Sequence, residues 1–147
     1  MRLACQKIIL LASAVTLGCT EPLSPADVAA EYVLETVNGD PLPVILVPIP
    51  EESISIIAGR ITLTTEQRAT TLEQRRELHD NVPSDNTYIS NFTFTLDGNT
   101  MTLYPECPPN ALCTTVDGVF FGETLRLAYG RYSNAPQVYT YRKAPTS

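Results

Sequence analysis

The sequence predicts an all-β fold, a small antiparallel up-and-down meander of about eight strands, closed or nearly closed into a barrel. Three observations predict it. From Ala30 onward, apolar and polar residues alternate with period two, and turn-forming residues interrupt the alternation about every ten positions. Pro41, Pro43, Pro48 and Pro50 exclude a helix between them. Ala69–Leu78, the stretch that admits a helix, carries no continuous apolar stripe at helical spacing. Short antiparallel strands hide their edges by curling until the last pairs with the first. Tyr32–Val37 is therefore expected beside Gln137–Arg142. An eight-stranded interior is just wide enough to be filled by side chains or to hold one small ligand.

In the first strand, Tyr32, Leu34 and Thr36 alternate with Val33, Glu35 and Val37 before Asn38-Gly39-Asp40 turns the chain. The proline-rich stretch 41–50 follows. Each proline lacks the ladder donor, so the stretch reads as an extended apolar strap over one end of the fold rather than a central strand. Ser53–Thr64 is the second strand, with Ile61 and Leu63 facing one way and Arg60, Thr62 and Thr64 the other; Gly59 suggests a bulge or bend.

Ala69–Leu78 admits two readings. As a helix it places Glu73 and Glu77 at i,i+4, a mildly repulsive pair. As a strand it places Leu72 and Leu78 on one face and Thr71, Glu73, Arg75 and Glu77 on the other. The strand is preferred because its neighbours are strands. The cluster Glu73-Gln74-Arg75-Arg76-Glu77 then reads as a solvated face, the alternative being a contact of Arg75 and Arg76 with an acidic partner.

The clearest hairpin is next: Phe92, Phe94 and Leu96, the turn Asp97-Gly98-Asn99, then Met101 and Leu103. Thr114–Phe121 and Thr124–Tyr129 form another around Gly122-Glu123, with Leu125 and Leu127 pointing in. Gln137–Lys143 is the last strand.

The 147 residues carry 10 Lys+Arg against 16 Asp+Glu, for a formal charge of −6, which excludes a strongly basic nucleic-acid binder. One ordinary domain plus a targeting segment fits this length. Arg2 and Lys7 precede the short apolar run Ile8–Leu17. Ten residues of helix rise only ~15 Å, about half a bilayer core, so the run reads as a secretory signal. Its end, Thr16-Leu17-Gly18-Cys19, resembles the bacterial lipobox, in which a small residue precedes a cysteine that is lipidated. Ordinary cleavage near Ala12-Ser13-Ala14 is the alternative, and it leaves too short an apolar core.

The resemblance implies a signal peptide at 1–18 and a lipidated Cys19 with a flexible tether over 19–29, and the strand pattern then gives a barrel domain over 30–143 and a tail at 144–147. Removing residues 1–18 from the 147 takes away Arg2 and Lys7, leaving 129 residues with eight basic and sixteen acidic, a charge of −8. An acidic body avoids anionic headgroups, so the expected membrane partner is reached through the lipid. No Asp follows Cys19, which by resemblance to enterobacterial sorting favours the outer over the inner membrane of a bacterial envelope.

Cys5 leaves with the signal and Cys19 carries lipid. Cys107 and Cys113 remain as an even pair in an oxidising space and read as a disulfide-bridged surface loop stiffened by Pro108 and Pro109. A zinc site needs four ligands, and the one histidine, His79, is far off in sequence.

Tyr32-Val33-Leu34-Glu35-Thr36-Val37-Asn38-Gly39-Asp40-Pro41-Leu42-Pro43 resembles the opening strand of small bacterial lipocalin-like lipoprotein domains. Gly59-Arg60-Ile61-Thr62-Leu63 is similar to their second strand, and Tyr139-Thr140-Tyr141-Arg142 to their closing strand. The resemblance spans residues 28–143 and implies a lipocalin-like barrel. The Gly-x-Trp signature of true lipocalins is missing, since the chain has no Trp. A bacterial META-type domain opens similarly, but no Gly-Cys-Asn segment follows the second strand.

Catalytic chemistry finds little support. His79 beside Asp80 lacks a nucleophile and reads as a solvated histidine. Asp80, Asp85 and Asn86 lack the ligand spacing of a calcium loop. The sequon Asn91-Phe92-Thr93 carries no meaning in a bacterial setting. Tyr88, Tyr104, Tyr129, Tyr132, Tyr139 and Tyr141 are expected to pack in the core and rim or to line a pocket. No enzyme activity, metal or cofactor is expected.

Two functions follow. In the first, a non-enzymatic envelope lipoprotein binds a small apolar ligand in a cavity lined by Phe92, Phe94, Leu125 and Leu127. In the second, an interaction module or hydrolase inhibitor acts through the Cys107–Cys113 loop. A hollow interior favours the first; a filled interior with a protruding loop favours the second.

Overall fold

A computed structural model describes residues 21–48, 52–130 and 136–145. Cys19, the leader before it and Tyr132 lie outside the described residues.

Alternation becomes strand almost throughout. The elements are α1 (Pro25–Val28), β1 (Ala30–Val37), β2 (Asp40–Pro41), β3 (Val44–Pro48), β4 (Ser53–Leu63) and β5 (Arg68–His79). They continue with β6 (Val82–Asp97), β7 (Thr100–Pro105), β8 (Val116–Phe121), β9 (Thr124–Tyr129) and β10 (Gln137–Lys143). From β4 to β10 each strand pairs antiparallel with the next in sequence. The first strand closes the ring. β1 pairs with β10 through Tyr32↔Lys143 to Val37↔Tyr139, and with β4 through Ala30↔Leu63 to Val33↔Arg60. The result is a closed eight-stranded antiparallel barrel, with β2 and β3 as two extra strands.

These extra strands occupy the place where β1 and β4 diverge. Beyond Val33, β1 pairs with β2 (Thr36↔Pro41), while the start of β4 pairs with β3 (Val44↔Ile56). Within the proline-rich strap, Val44–Pro48 is thus an edge strand along one side of β4, and Pro50 lies outside the described residues. This suits a segment whose prolines cannot donate to a second neighbour.

The ambiguous stretch 69–78 is strand β5, in ladder with β4 and β6 along its length. Its outward and inward residues differ too little in hydropathy to reveal the strand period, and pairing on both sides decides the conformation. The register shift in β4 falls between Ile56 and Ala58, just before Gly59. Gly59 instead allows close packing: a Cβ there would lie 2.9 Å from Leu34 Cδ2.

Inward residues of all eight barrel strands make one core. Tyr32, Leu34, Ile61, Leu63, Phe94, Met101, Leu103, Phe120, Leu125 and Tyr139 are among its buried members. One end is shut by tight turns and by α1. Ser24 donates its N–H and Oγ to Asp27 Oδ2 at 2.8 and 2.6 Å, fixing the first turn and holding the Asp27 carboxyl below its ordinary pKa. Val28 is buried, its carbonyl accepts from the Tyr32 hydroxyl at 3.0 Å, and Leu23 packs on the same core. The segment 19–29, read as a flexible tether, therefore joins the fold from Leu23 on. Burial of Val28 and the Ser24–Asp27 bonds offset the cost of ordering it.

Candidate functional site

The opposite end carries the longer connections and the chemistry. β7 pairs with β6 only from Phe92↔Pro105 to Asp97↔Thr100. The rest of β6, from Val82 to Asn91, runs beyond the end of β7 as a hairpin with β5. Asp80 and Asn81, at φ 49° and 64°, make the two-residue turn between the pair His79↔Val82. Two positive φ values match a type I′ hairpin, whose twist suits the strands it joins.

The inward face of this hairpin is polar. Glu73, Arg75 and Glu77 of β5 stand beside Asn86 and Tyr88 of β6, through the pairs Glu73↔Tyr88 and Arg75↔Asn86. Arg75 is 7% exposed. Its Nε donates to Glu73 Oε1, and its guanidinium carbon lies 4.4 Å from the centroid of the Tyr88 ring. The Tyr88 hydroxyl and Asn86 Nδ2, the latter at 3.2 Å, donate to the two oxygens of Glu77.

The Glu73–Glu77 cluster is thus not simply a solvated face. Its odd-numbered members turn inward, because the carboxylate and the aromatic ring compensate the buried guanidinium. Arg76 faces outward and meets Asp85 through Nε and Nη2 at 2.8 and 2.9 Å, a pair that holds the Asp85 carboxyl below its usual range.

Behind this face sit the interior tyrosines of β9 and β10. The rings of Tyr129 and Tyr139 meet edge-on with centroids 4.7 Å apart. Tyr141 is hydrogen-bonded to Tyr129, and its phenol is pushed well above 10.0, first by burial and then by the nearness of Tyr129 and Glu73. Gln137 Oε1, also facing in, is buried with no hydrogen-bond partner among the described residues. Tyr88 is partly exposed and Tyr104 lies on the outer surface.

Phe92, Phe94, Leu125 and Leu127 converge as the register demands, and all are 0–2% exposed. They pack as core: Phe94 pairs with Leu103, Leu103 with Val116, and Gly118 with Leu127. Phe92 also borders a groove of about 470 Å³ at the open end. Its other walls include Ile89, Asn91, Glu106, Tyr129 and the segment Leu112–Thr115.

Cys107 and Cys113 are joined, with Cα atoms 6.3 Å apart, and the loop they close is exposed, Leu112 fully so. His79 is exposed, its Nδ1 3.5 Å from Glu52 Oε1. Among the described residues, no three of His, Cys, Asp or Glu gather as metal ligands, and no helix is long and apolar enough to cross a membrane.

Sequence reasoning overlooked the ion pair inside the open end. The usable signal was the odd-numbered set Ala69, Thr71, Glu73, Arg75, whose first two members are small enough for an interior.

No protein-family profile, no curated protein and no solved structure matches this chain.

Proposed function

We propose that the protein is a non-enzymatic lipoprotein of the bacterial cell envelope, anchored through Cys19, whose lipocalin-like barrel works as an interaction module. The closed up-and-down barrel supports the likeness to small lipocalin-like lipoprotein domains, and the Gly18-Cys19 motif supports the anchor. One observation carries the choice of an interaction module. The residues that would line a central cavity are packed to 0–2% exposure, while the disulfide-closed loop at the open end presents Leu112 fully to solvent. A filled barrel is a rigid support for loops, and loops on rigid supports are where binding residues concentrate.

A second reading, carriage of a small molecule, is favoured by the groove beside Tyr129. Its volume falls within the usual range of small-ligand pockets. A small polar molecule suits its lining of Ser90, Asn91, Glu106, Thr114 and Thr115.

Native mass spectrometry of the protein purified from its own host separates the two. A retained protein partner, lost on Leu112→Asp, supports the interaction module. A retained small molecule overturns it in favour of carriage.

A further inference from the structure

Among the described residues the projecting part of β6 has an edge with no neighbouring strand, and the hydrogen-bonding pattern shows which groups lie along it. In a two-residue hairpin the residues flanking the turn exchange hydrogen bonds, and bonded and non-bonded pairs then alternate. Val82, paired with His79, therefore points its backbone groups at β5, as do the other even-numbered residues. Phe94 agrees, its N–H reaching Gln67 O on the β5 side at 2.9 Å. Odd-numbered residues point the other way, and the Asn91 carbonyl accordingly accepts from the Glu106 N–H at 3.1 Å.

There the partner strand stops. β7 ends at Pro105, and after Glu106 the chain enters the Cys107–Cys113 loop, whose far end lines the groove together with Ile89, Ser90 and Asn91. Among the described residues no strand lies beside the outward N–H and C=O groups of Asp85, Thr87 and Ile89. Natural sheets blunt such edges with proline, lysine or a covering loop. Here Pro83 guards only the tip, and β6 contains no lysine or arginine.

We propose that this edge accepts an extended segment of a partner protein as an added antiparallel β-strand, and that the segment is basic. The ladder offered from Asp85 to Ile89 matches a strand of about five residues, roughly 14–17 Å long at ~3.4 Å per residue. Main-chain bonding supplies affinity in this mode, and side chains alternating to either face supply specificity. At its inner end the edge opens on the groove of about 470 Å³, whose walls include Ile89, Ser90 and Asn91, so one side chain of the added strand enters it.

Charge identifies the partner. The hairpin and its neighbours carry Glu52, Glu77, Asp80 and Asp85 against Arg76 and His79, with Arg75 turned inward to Glu73. Among the described residues Glu106 is the charged residue lining the groove, and it is paired with Arg68 at 3.0 Å. A basic strand meets this field favourably, whereas an acidic one meets like charge.

The inference rests on the interaction-module reading and names its partner. The test is amide hydrogen exchange on the purified, isotope-labelled protein, with an acetylated, amidated peptide of three Lys-Val repeats as the probe and a Glu-Val peptide as its control. In the free protein, the amides of Asp85, Thr87 and Ile89 are expected to exchange at least tenfold faster than those of Asn86 and Tyr88. The basic peptide slows the three odd-numbered amides at least tenfold; the acidic peptide does not.

Thr87→Pro removes an outward N–H without touching the β5 ladder and abolishes the protection at Asp85 and Ile89. Ile89→Pro serves the same purpose if that variant folds poorly. Odd-numbered amides already protected in the free protein at high dilution overturn the proposal, because the edge is then covered. So does equal slowing by both peptides, or no slowing at millimolar peptide. Protection that grows with protein concentration alone overturns it in favour of a second copy. A partner that still depends on Leu112 after any of these failures leaves the interaction module standing and removes only strand addition.

Discussion

The guanidinium of Arg75 lies inside the open end of the barrel, its carbon 4.4 Å from the centroid of the Tyr88 ring while its Nε bonds Glu73. The side chains of Arg75 and Glu73 are only 9% and 13% exposed, so each compensates the other's charge where little water reaches. Arg75→Ala should therefore lower the unfolding free energy by about 3 kcal/mol, as expected for a buried charge left behind. Adding Glu73→Gln should recover part of that loss. Urea denaturation of the two single variants and the double variant checks this, and strictly additive effects contradict the coupling.

The phenol of Tyr141 predicts the alkaline limit of stability. Burial, with Tyr129 and Glu73 nearby, raises its pKa well above 10.0 in the folded chain, while in the unfolded chain it titrates near the ordinary value. Above that value the unfolded state has released a proton that the folded state keeps. The Tyr141 contribution is therefore flat below pH ~10, and stability falls as pH rises beyond it. Tyr32, raised for the same first reason, adds to the slope. Denaturation between pH 8 and 11, with Tyr141→Phe for comparison, should show a shallower alkaline decline in the variant. Equal slopes would contradict the burial of that hydroxyl.

Phe94 sits in the wall of the barrel at 1% exposure, paired with Leu103 and bonded through its N–H to Gln67 O. Phe94→Pro removes both the donor and the aromatic packing and should abolish the cooperative transition. Phe94→Ala keeps the donor and should cost about 3–5 kcal/mol. Circular dichroism melting reads both, and a proline variant melting like the parent would exclude this strand placement.

Gly118 faces inward, where a Cβ would lie 2.6 Å from Leu127 Cδ2 and 3.3 Å from the Arg126 carbonyl oxygen. Gly118→Ala should destabilise by about 1–3 kcal/mol, the range for overpacking a filled core. Leu127→Val in the same chain should return part of it. A barrel with slack at this layer would show no loss, so thermal denaturation of the two variants also measures how full the interior is.

Membrane attachment is expected to depend on one thiol. Cys19→Ser should move the protein from the membrane pellet to the soluble fraction, since an acidic body has no charge attraction to anionic headgroups. Continued sedimentation with membranes contradicts the lipid anchor.

The sequence by itself determined the class of fold and most of its strands, because a strand with one buried face must alternate with period two whatever surrounds it. Ile61 and Leu63, Phe92 and Phe94, and Leu125 and Leu127 show that period openly, and all six are buried in the barrel. The pairing of Tyr32–Val37 with the closing strand was legible for a related reason: a meander of this length has few other ways to cover its first and last edges. The Cys107–Cys113 bridge followed from counting thiols.

Alternation names two faces without saying which is inside, and for apolar strands composition supplies the answer. Along Thr71, Glu73, Arg75 and Glu77 composition points to solvent. Only the tertiary structure could place a carboxylate and the Tyr88 ring where they compensate the guanidinium and let it turn inward. Strand length against its neighbour is likewise a relation between segments. Nothing within residues 82–91 reveals that β7 stops at Pro105 and leaves the backbone groups of Asp85, Thr87 and Ile89 without a neighbouring strand among the described residues.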